Sequence, residues 1–186
     1  MNGCQGENNM AGDIFIISDT HFSHSNILTF KDKDGTKIRP EFSTVTEMDE
    51  YMLEQWNSTV KPTDHVIHVG DVIFGNPDLY NRILGKLNGE KTLIMGNHDH
   101  DAKYFQPWFK NIKSILSTRN YFEKDLVFSH YPLMDRSFKY GTREALNIHG
   151  HIHTDKLDST SHVNVCVEHT KYKPIHIEDI LDGIFK

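Results

Sequence analysis

Apolar and polar positions alternate along this chain in short runs that end in a recurring way. "DIFIIS" (13–18), "DHVIHVG" (64–70), "KTLIMG" (91–96), "DLVFSHYP" (125–132) and "ALNIHGHIH" (145–153) each read as a strand. "SHVNVCVE" (161–168) alternates like a further strand. Helical spacing runs through Met48, Met52, Leu53 and Trp56 in segment 46–60, with Thr46 as N-cap and Asp49 in the capping-box position. Segment 76–89 reads as a helix with Pro77 at its first position and Gly89 beyond its end. "IEDILDGIF" (177–185) reads as a short terminal helix, and 30–40 as a polar loop turning at Asp34-Gly35. Residues 1–12 are polar and Gly-rich, a mobile tail before a single domain over 13–186. The early β-α-β-α-β order predicts an α/β fold. The later strands, with few helices between them, predict a second, more antiparallel sheet.

Composition narrows the function. A chain of 186 residues is long enough to bury a sizeable core. The net charge of −6 supplies no basic excess for gripping a nucleic acid backbone. Two cysteines, Cys4 and Cys166, form neither a disulfide framework nor a CxxC pair, which fits a reducing, cytoplasmic setting. No apolar stretch is long enough to span a membrane, and no secretory signal is visible. The unusual count is 13 histidines, the residue that binds metals and moves protons near neutral pH.

The strand ends carry the chemistry. They read Ser18-Asp19-Thr20-His21, Gly70-Asp71, Gly96-Asn97-His98-Asp99, Ser129-His130 and Gly150-His151-Ile152-His153. Gly96 is expected to make its turn with positive φ. Neighbouring strand ends lie close together, so these groups can converge on one pocket. In Asp-x-His on extended backbone the two side chains fall on one side, and the same holds for His151 and His153. Oxygen and imidazole donors without thiolate suit Mn²⁺, Fe or Zn²⁺. They are too many for one ion and suit two that share a bridging carboxylate.

This order of motifs, Asp-x-His, Gly-Asp, Gly-Asn-His-Asp, His, Gly-His-x-His, resembles the calcineurin-like metallophosphoesterase superfamily, over residues 13 to 168. The resemblance implies a four-layer α-β-β-α sandwich of two mixed sheets flanked by helices, with the active site at the strand C-terminal ends. It also implies two divalent ions, Mn²⁺ first, with Fe, Zn²⁺ or Ni²⁺ as alternatives. By resemblance Asp19, His21 and His153 hold the first ion, Asp71 bridges, and Asn97, His130 and His151 hold the second. His98 protonates the leaving oxygen after a metal-bridging hydroxide attacks phosphorus, with Asp99 holding its ring.

Within the superfamily, "DTHFSH" and "GDVIFGN" lack the Gly and the "GDxVDRG" of the protein phosphatase branch. The chain is more similar to the small stand-alone bacterial and phage phosphoesterases. Two loops, 22–42 and 131–145, are expected to set specificity. His24 stands just past the first ligand pair. Arg136, Lys139 and Arg143 interleave with Phe138 and Tyr140, a pattern that could grip a phosphate and stack a base. His24, Arg136, Lys139, Tyr140 and Arg143 are therefore the candidate substrate contacts. The substrate expected is a nucleotide or short oligonucleotide phosphodiester. The alternatives are a phosphomonoester metabolite, or a metal-stabilised nucleotide-binding module without turnover. Most other histidines, among them His65, His68, His100, His162, His169 and His176, read as packing or surface residues, as does His149.

Overall fold

The short apolar runs assemble into two stacked sheets. The structure, a computed structural model, describes residues 12–121, 123–139, 144–183 and 185. All but Gly12 of the expected N-terminal tail lies outside them. In the first sheet β1 (Ile14–Ile17), β2 (His65–His68), β3 (Glu90–Ile94) and β4 (Asn111–Lys113) are parallel, in the order β4-β3-β2-β1. β9 (Ile175–His176) closes that sheet antiparallel to β1. The second sheet has the order β5-β6-β7-β8, from β5 (Ile115–Tyr121), β6 (Lys124–Ser129), β7 (Ala145–His149) and β8 (His162–Asn164). β5 is antiparallel to β6, but β6, β7 and β8 are parallel. The second sheet is thus less antiparallel than the sequence suggests. The β6–β7 and β7–β8 connections each run to roughly a dozen residues or more, enough to return the chain to the same end of the sheet.

Period-two alternation sorts the core. Phe15, Ile17, Val66 and Leu93 face Met48, Met52 and Trp56 of α1 (Val45–Thr59) and Leu84 of α2 (Pro77–Leu84). Ile16, Ile67 and Ile94 point the other way, into a cluster with Leu126, Phe128, Leu146, Ile148 and Val163. Ile177, Ile180 and Leu181 of α4 (Ile177–Leu181) complete it. Each such side chain stabilises the fold by about 1.5–3 kcal/mol, so the inter-sheet cluster locks the two sheets in register. The outer face of the second sheet is covered by Leu133 and Phe138, flanking a 3₁₀ turn at Asp135–Ser137, over Val127 and Ala145. The layers therefore run helix, sheet, sheet and a thin outer cover with its 3₁₀ turn, the expected α/β sandwich of two mixed sheets flanked by helical elements.

Several boundaries differ from the sequence reading. The α1 N-cap is Thr44, whose side chain accepts from the Glu47 N–H, while the Glu47 carboxylate accepts from the Ser43 N–H. Asp49 serves elsewhere: its carboxylate accepts from Ser23 N–H and Oγ and ties α1 to the loop after β1. α2 stops at Leu84 with Gly85 as C-cap, well before Gly89. The expected strand over 161–168 ends at Asn164. Its side-chain oxygen accepts from the Cys166 N–H and turns the chain into α3 (Val167–Thr170). β4, β5 and β9 have no counterpart in the sequence reading.

His68 is a buried polar residue among these strands. Its Nδ1 accepts from the Gly70 N–H at 3.2 Å, and its Nε2 lies 3.0 Å from Thr20 Oγ1, which in turn donates to Val72 O. The ring is thus satisfied as neutral imidazole, and burial pushes its pKa down to about 3. An unfolded histidine titrates near 6.5, so the unfolded chain binds this proton first and stability falls as pH drops below that value. From pH 7 to 5 the loss from this group is about 2 kcal/mol. We expect His68→Gln to flatten the acid limb of stability by close to one proton. Urea unfolding across pH 5–7 measures this; an unchanged slope would remove His68 from the acid response.

Candidate metal centre

Each strand expected to deliver a polar group stops before reaching it, and the group sits in the turn that follows. Asp19, His21, Asp71, His151 and His153 all have left-handed backbone, with φ of 57°, 48°, 55°, 72° and 45°. Such conformations cost L-residues free energy and collect at functional sites. The extended-backbone argument for Asp-x-His and His-x-His is thereby corrected. Alternating left-handed residues, not strand pleating, set Asp19 beside His21, and they send His151 toward His130 and His153 toward Asp19.

The polar atoms are divided between protein and an open centre. Asp19 Oδ2 accepts from Ser18 Oγ at 2.5 Å, from the His151 N–H at 3.0 Å and from the Cys166 thiol at 3.2 Å. Its Oδ1 is buried without any hydrogen-bond partner. His21 Nε2, equally buried and unpartnered, lies 3.8 Å away, and His153 Nε2 lies 4.0 Å from the same oxygen. Asp19, His21 and His153 thus form one donor group. Asp19, Asp71 and His130 form another. Asp71 Oδ1 accepts from the His98 N–H at 2.9 Å, while its Oδ2 stands 3.6 Å from His21 Nε2 and 3.3 Å from His130 Nε2. His130 Nδ1 donates to Val69 O, which turns Nε2 toward Asp71 and toward Asn97 Oδ1 at 3.0 Å. The His151 ring packs 5.1 Å from that of His130.

The electrostatics are those of a cation site. Burial opposes charge on Asp19, yet the imidazoles of His21, His130 and His153 around it hold its carboxyl well below the usual range. Burial would also lower His130, but the Asp71 hydrogen bond and the charges of Asp19 and Asp71 overcome it and lift the ring to about 9. A proton held so firmly between carboxylates occupies a place where a divalent ion would compete. The unpartnered buried atoms and the donor chemistry both fit divalent metal.

Glycines make the approach possible. A Cβ on Gly96 would lie 2.2 Å from Asp71 Oδ1, and one on Gly150 would lie 2.1 Å from Asp19 Oδ2. A Cβ on Gly70, whose φ is +97°, would lie 2.6 Å from His130 Nδ1. Gly96 itself is not among the positive-φ residues. The expectation of a left-handed turn there is corrected to one of close packing against Asp71.

The remaining candidates divide. The His98 ring, half-buried, stands 5.6 Å from the His21 ring and 5.0 Å from Phe74, and no described residue bonds its ring nitrogens. Asp99 does not hold that ring, contrary to expectation. Its carboxylate is consumed by the backbone N–H groups of Asp71, Val72 and Gly96, at 2.8, 3.0 and 2.8 Å. His24 stacks on Phe74 at 3.8 Å, and its Nδ1 lies 3.3 Å from His21 Nδ1. Burial, with His21 and His98 adding, lowers His24 to about 4, so the ring is neutral and its Nδ1 can accept the His21 Nδ1–H. Lys139 is exposed and donates to Asp135 at 2.8 Å. Arg136 is exposed on the 3₁₀ turn. Tyr140 and Arg143 lie outside the described residues. Sequence reasoning passed over Phe74, the half-exposed Tyr131 whose ring is 4.3 Å from that of His151, and the buried Arg39 and Glu168. Phe74 alone had a signal, three residues after Asp71.

Two stacked sheets that bring carboxylates and imidazoles to one rim define a metal-binding α/β protein. Residues 12–182 match the model of the calcineurin-like phosphoesterase family, and the chain belongs to that family of metal-dependent hydrolases. It is 32% identical over 182 residues to an uncharacterized protein of Methanocaldococcus jannaschii, across 93% of this chain and 92% of that one. It is also similar to the crystal structure of a protein of unknown function from Aquifex aeolicus, with a TM-score of 0.70 and 27% identity, over 94% of this chain and all of that one.

Proposed function

We propose that this protein hydrolyses a phosphodiester of a nucleotide or short oligonucleotide at a centre of two divalent ions. The observation that carries the reading is the pair of buried, unpartnered atoms, Asp19 Oδ1 and His21 Nε2, facing Asp71 Oδ2. Asp19, His21 and His153 would hold one ion and Asn97, His130 and His151 the other, with Asp71 available to both. Bound there, Mn²⁺ ions supply Lewis acidity toward phosphate and activate water near neutral pH. Asn97 adds no negative charge, so the centre stays cationic enough to receive an anion. No described residue bonds the ring nitrogens of His98, which stands beside the donor cluster and delivers a proton to the leaving oxygen. The neutral His24 fixes the His21 ring rather than binding substrate. Phe30, edge-on to His24, and Tyr131, against His151, are both partly exposed and can stack a base at an open rim.

Hydrolysis of bis-p-nitrophenyl phosphate against p-nitrophenyl phosphate, with Mn²⁺ and with chelator, tests the reading. Manganese-dependent cleavage favouring the diester is expected. Preference for the monoester would make the protein a phosphatase. Two bound ions with no turnover on either would favour a binding module. His98→Ala is expected to keep its metal and to lower turnover about 10²–10⁴-fold on esters with poor leaving groups, and far less on p-nitrophenol esters. Loss of both ions in that variant would make His98 structural.

A further inference from the structure

Arg39 lies at the end of the polar loop after β1, yet its side chain is wholly buried. The planar guanidinium uses its donors on three separate pieces of the chain. Nε donates to Glu168 Oε1 at 2.9 Å. One terminal nitrogen donates to Thr20 O at 2.9 Å and contacts Met48 Sδ at 3.3 Å; the other donates to Asp19 O at 2.6 Å. Asp19 is left-handed, as is His21 just beyond. That turn removes the two carbonyls from any sheet ladder, and inside the protein they need donors. Arg39 supplies both.

The other end of the pair reaches the same place from the second sheet's side. Glu168 Oε1, already bonded to Arg39, also accepts from His153 Nδ1 at 3.0 Å. A proton on Nδ1 leaves the Nε2 lone pair directed at Asp19 Oδ1. One buried cation therefore fixes the turn that carries Asp19 and His21 and, through one carboxylate, the ring of His153. These are the members of the first donor group and no others. Asp71 and His130 have their own supports, in the His98 N–H and Val69 O.

We propose that Arg39 and Glu168 are a positioning pair that assembles Asp19, His21 and His153 into one donor set for the first ion. This rests on the two-ion reading above. Neither residue touches reacting atoms. A buried ion pair present only for stability would be replaceable by apolar residues of similar volume without harm to the centre. A positioning pair is not.

The test is Mn²⁺ titration by calorimetry, with electron paramagnetic resonance on the loaded samples. It uses the wild type, the double variant Arg39→Met/Glu168→Met, and Glu168→Gln. Wild type is expected to bind two ions with an exchange-coupled signal. The double variant, if it melts cooperatively, is expected to keep one ion near wild-type affinity and to bind the other about 10–100-fold more weakly, with a six-line mononuclear signal. Glu168→Gln keeps the shape and the acceptor oxygen but loses the charge that strengthens both of its hydrogen bonds, so it decides the matter should the double variant fail to fold; a smaller weakening, confined to the same one ion, is expected. A folded variant with two ions at wild-type affinity and a coupled signal would overturn the proposal. Fewer than two ions in the wild type would instead overturn the two-ion reading, and the positioning role with it.

Discussion

Asp71→Asn is expected to abolish turnover, lowering kcat/KM by about 10³-fold or more, and to release metal on dialysis. Among the described residues, the carboxylate is the only one in contact distance of both His21 and His130, through a single oxygen, Oδ2. An amide there can offer a neutral oxygen to one ion but no charge to two. The fold should survive, because an amide oxygen can still accept the His98 N–H now taken by Oδ1. Removing a carboxylate so near Asp19 also relieves like-charge repulsion in the unloaded protein. Metal content by plasma mass spectrometry and a denaturant melt check both halves. Full activity with two retained ions would remove Asp71 from the bridging role.

Asp99→Ala is expected to act through stability instead. Its carboxylate satisfies three backbone donors, those of Asp71, Val72 and Gly96, and is itself buried. Leaving three N–H groups unsatisfied costs about 4 kcal/mol, at about 1–3 kcal/mol each less what local relaxation restores. Metal should be lost as well, since the Asp71 turn loses its anchor. Urea unfolding measures the first effect. An unperturbed melt with loss of activity only on poor leaving groups would restore Asp99 to a role through His98.

The sequence made the strand ends legible because apolar runs terminate abruptly there, and a small set of residue types follows each one. It also revealed the core face of α1, since Met48, Met52 and Trp56 keep the helical period. What it hid depended on long-range partners. Arg39 and Glu168 sit 129 positions apart, and neither carries a local pattern. Asp99 follows a histidine in sequence, which suggested a pair. Its carboxylate turns to three backbone groups instead, two of them on the loop after β2. β9 has two residues and exists only because β1 offers it an edge. The left-handed backbones escaped notice because nothing in Asp or His requires them.

Gly70, Gly96 and Gly150 have a use beyond this molecule. Motif searches score carboxylates and imidazoles, and a chain that retains them all would pass as an active relative. The space beside Asp19 and Asp71 admits no methyl group. A related sequence with alanine at the position of Gly96 or Gly150 would therefore need a displaced donor turn, whatever its other residues promise. For sorting working enzymes from lapsed copies in genome surveys, these small residues carry as much information as the side chains they make room for.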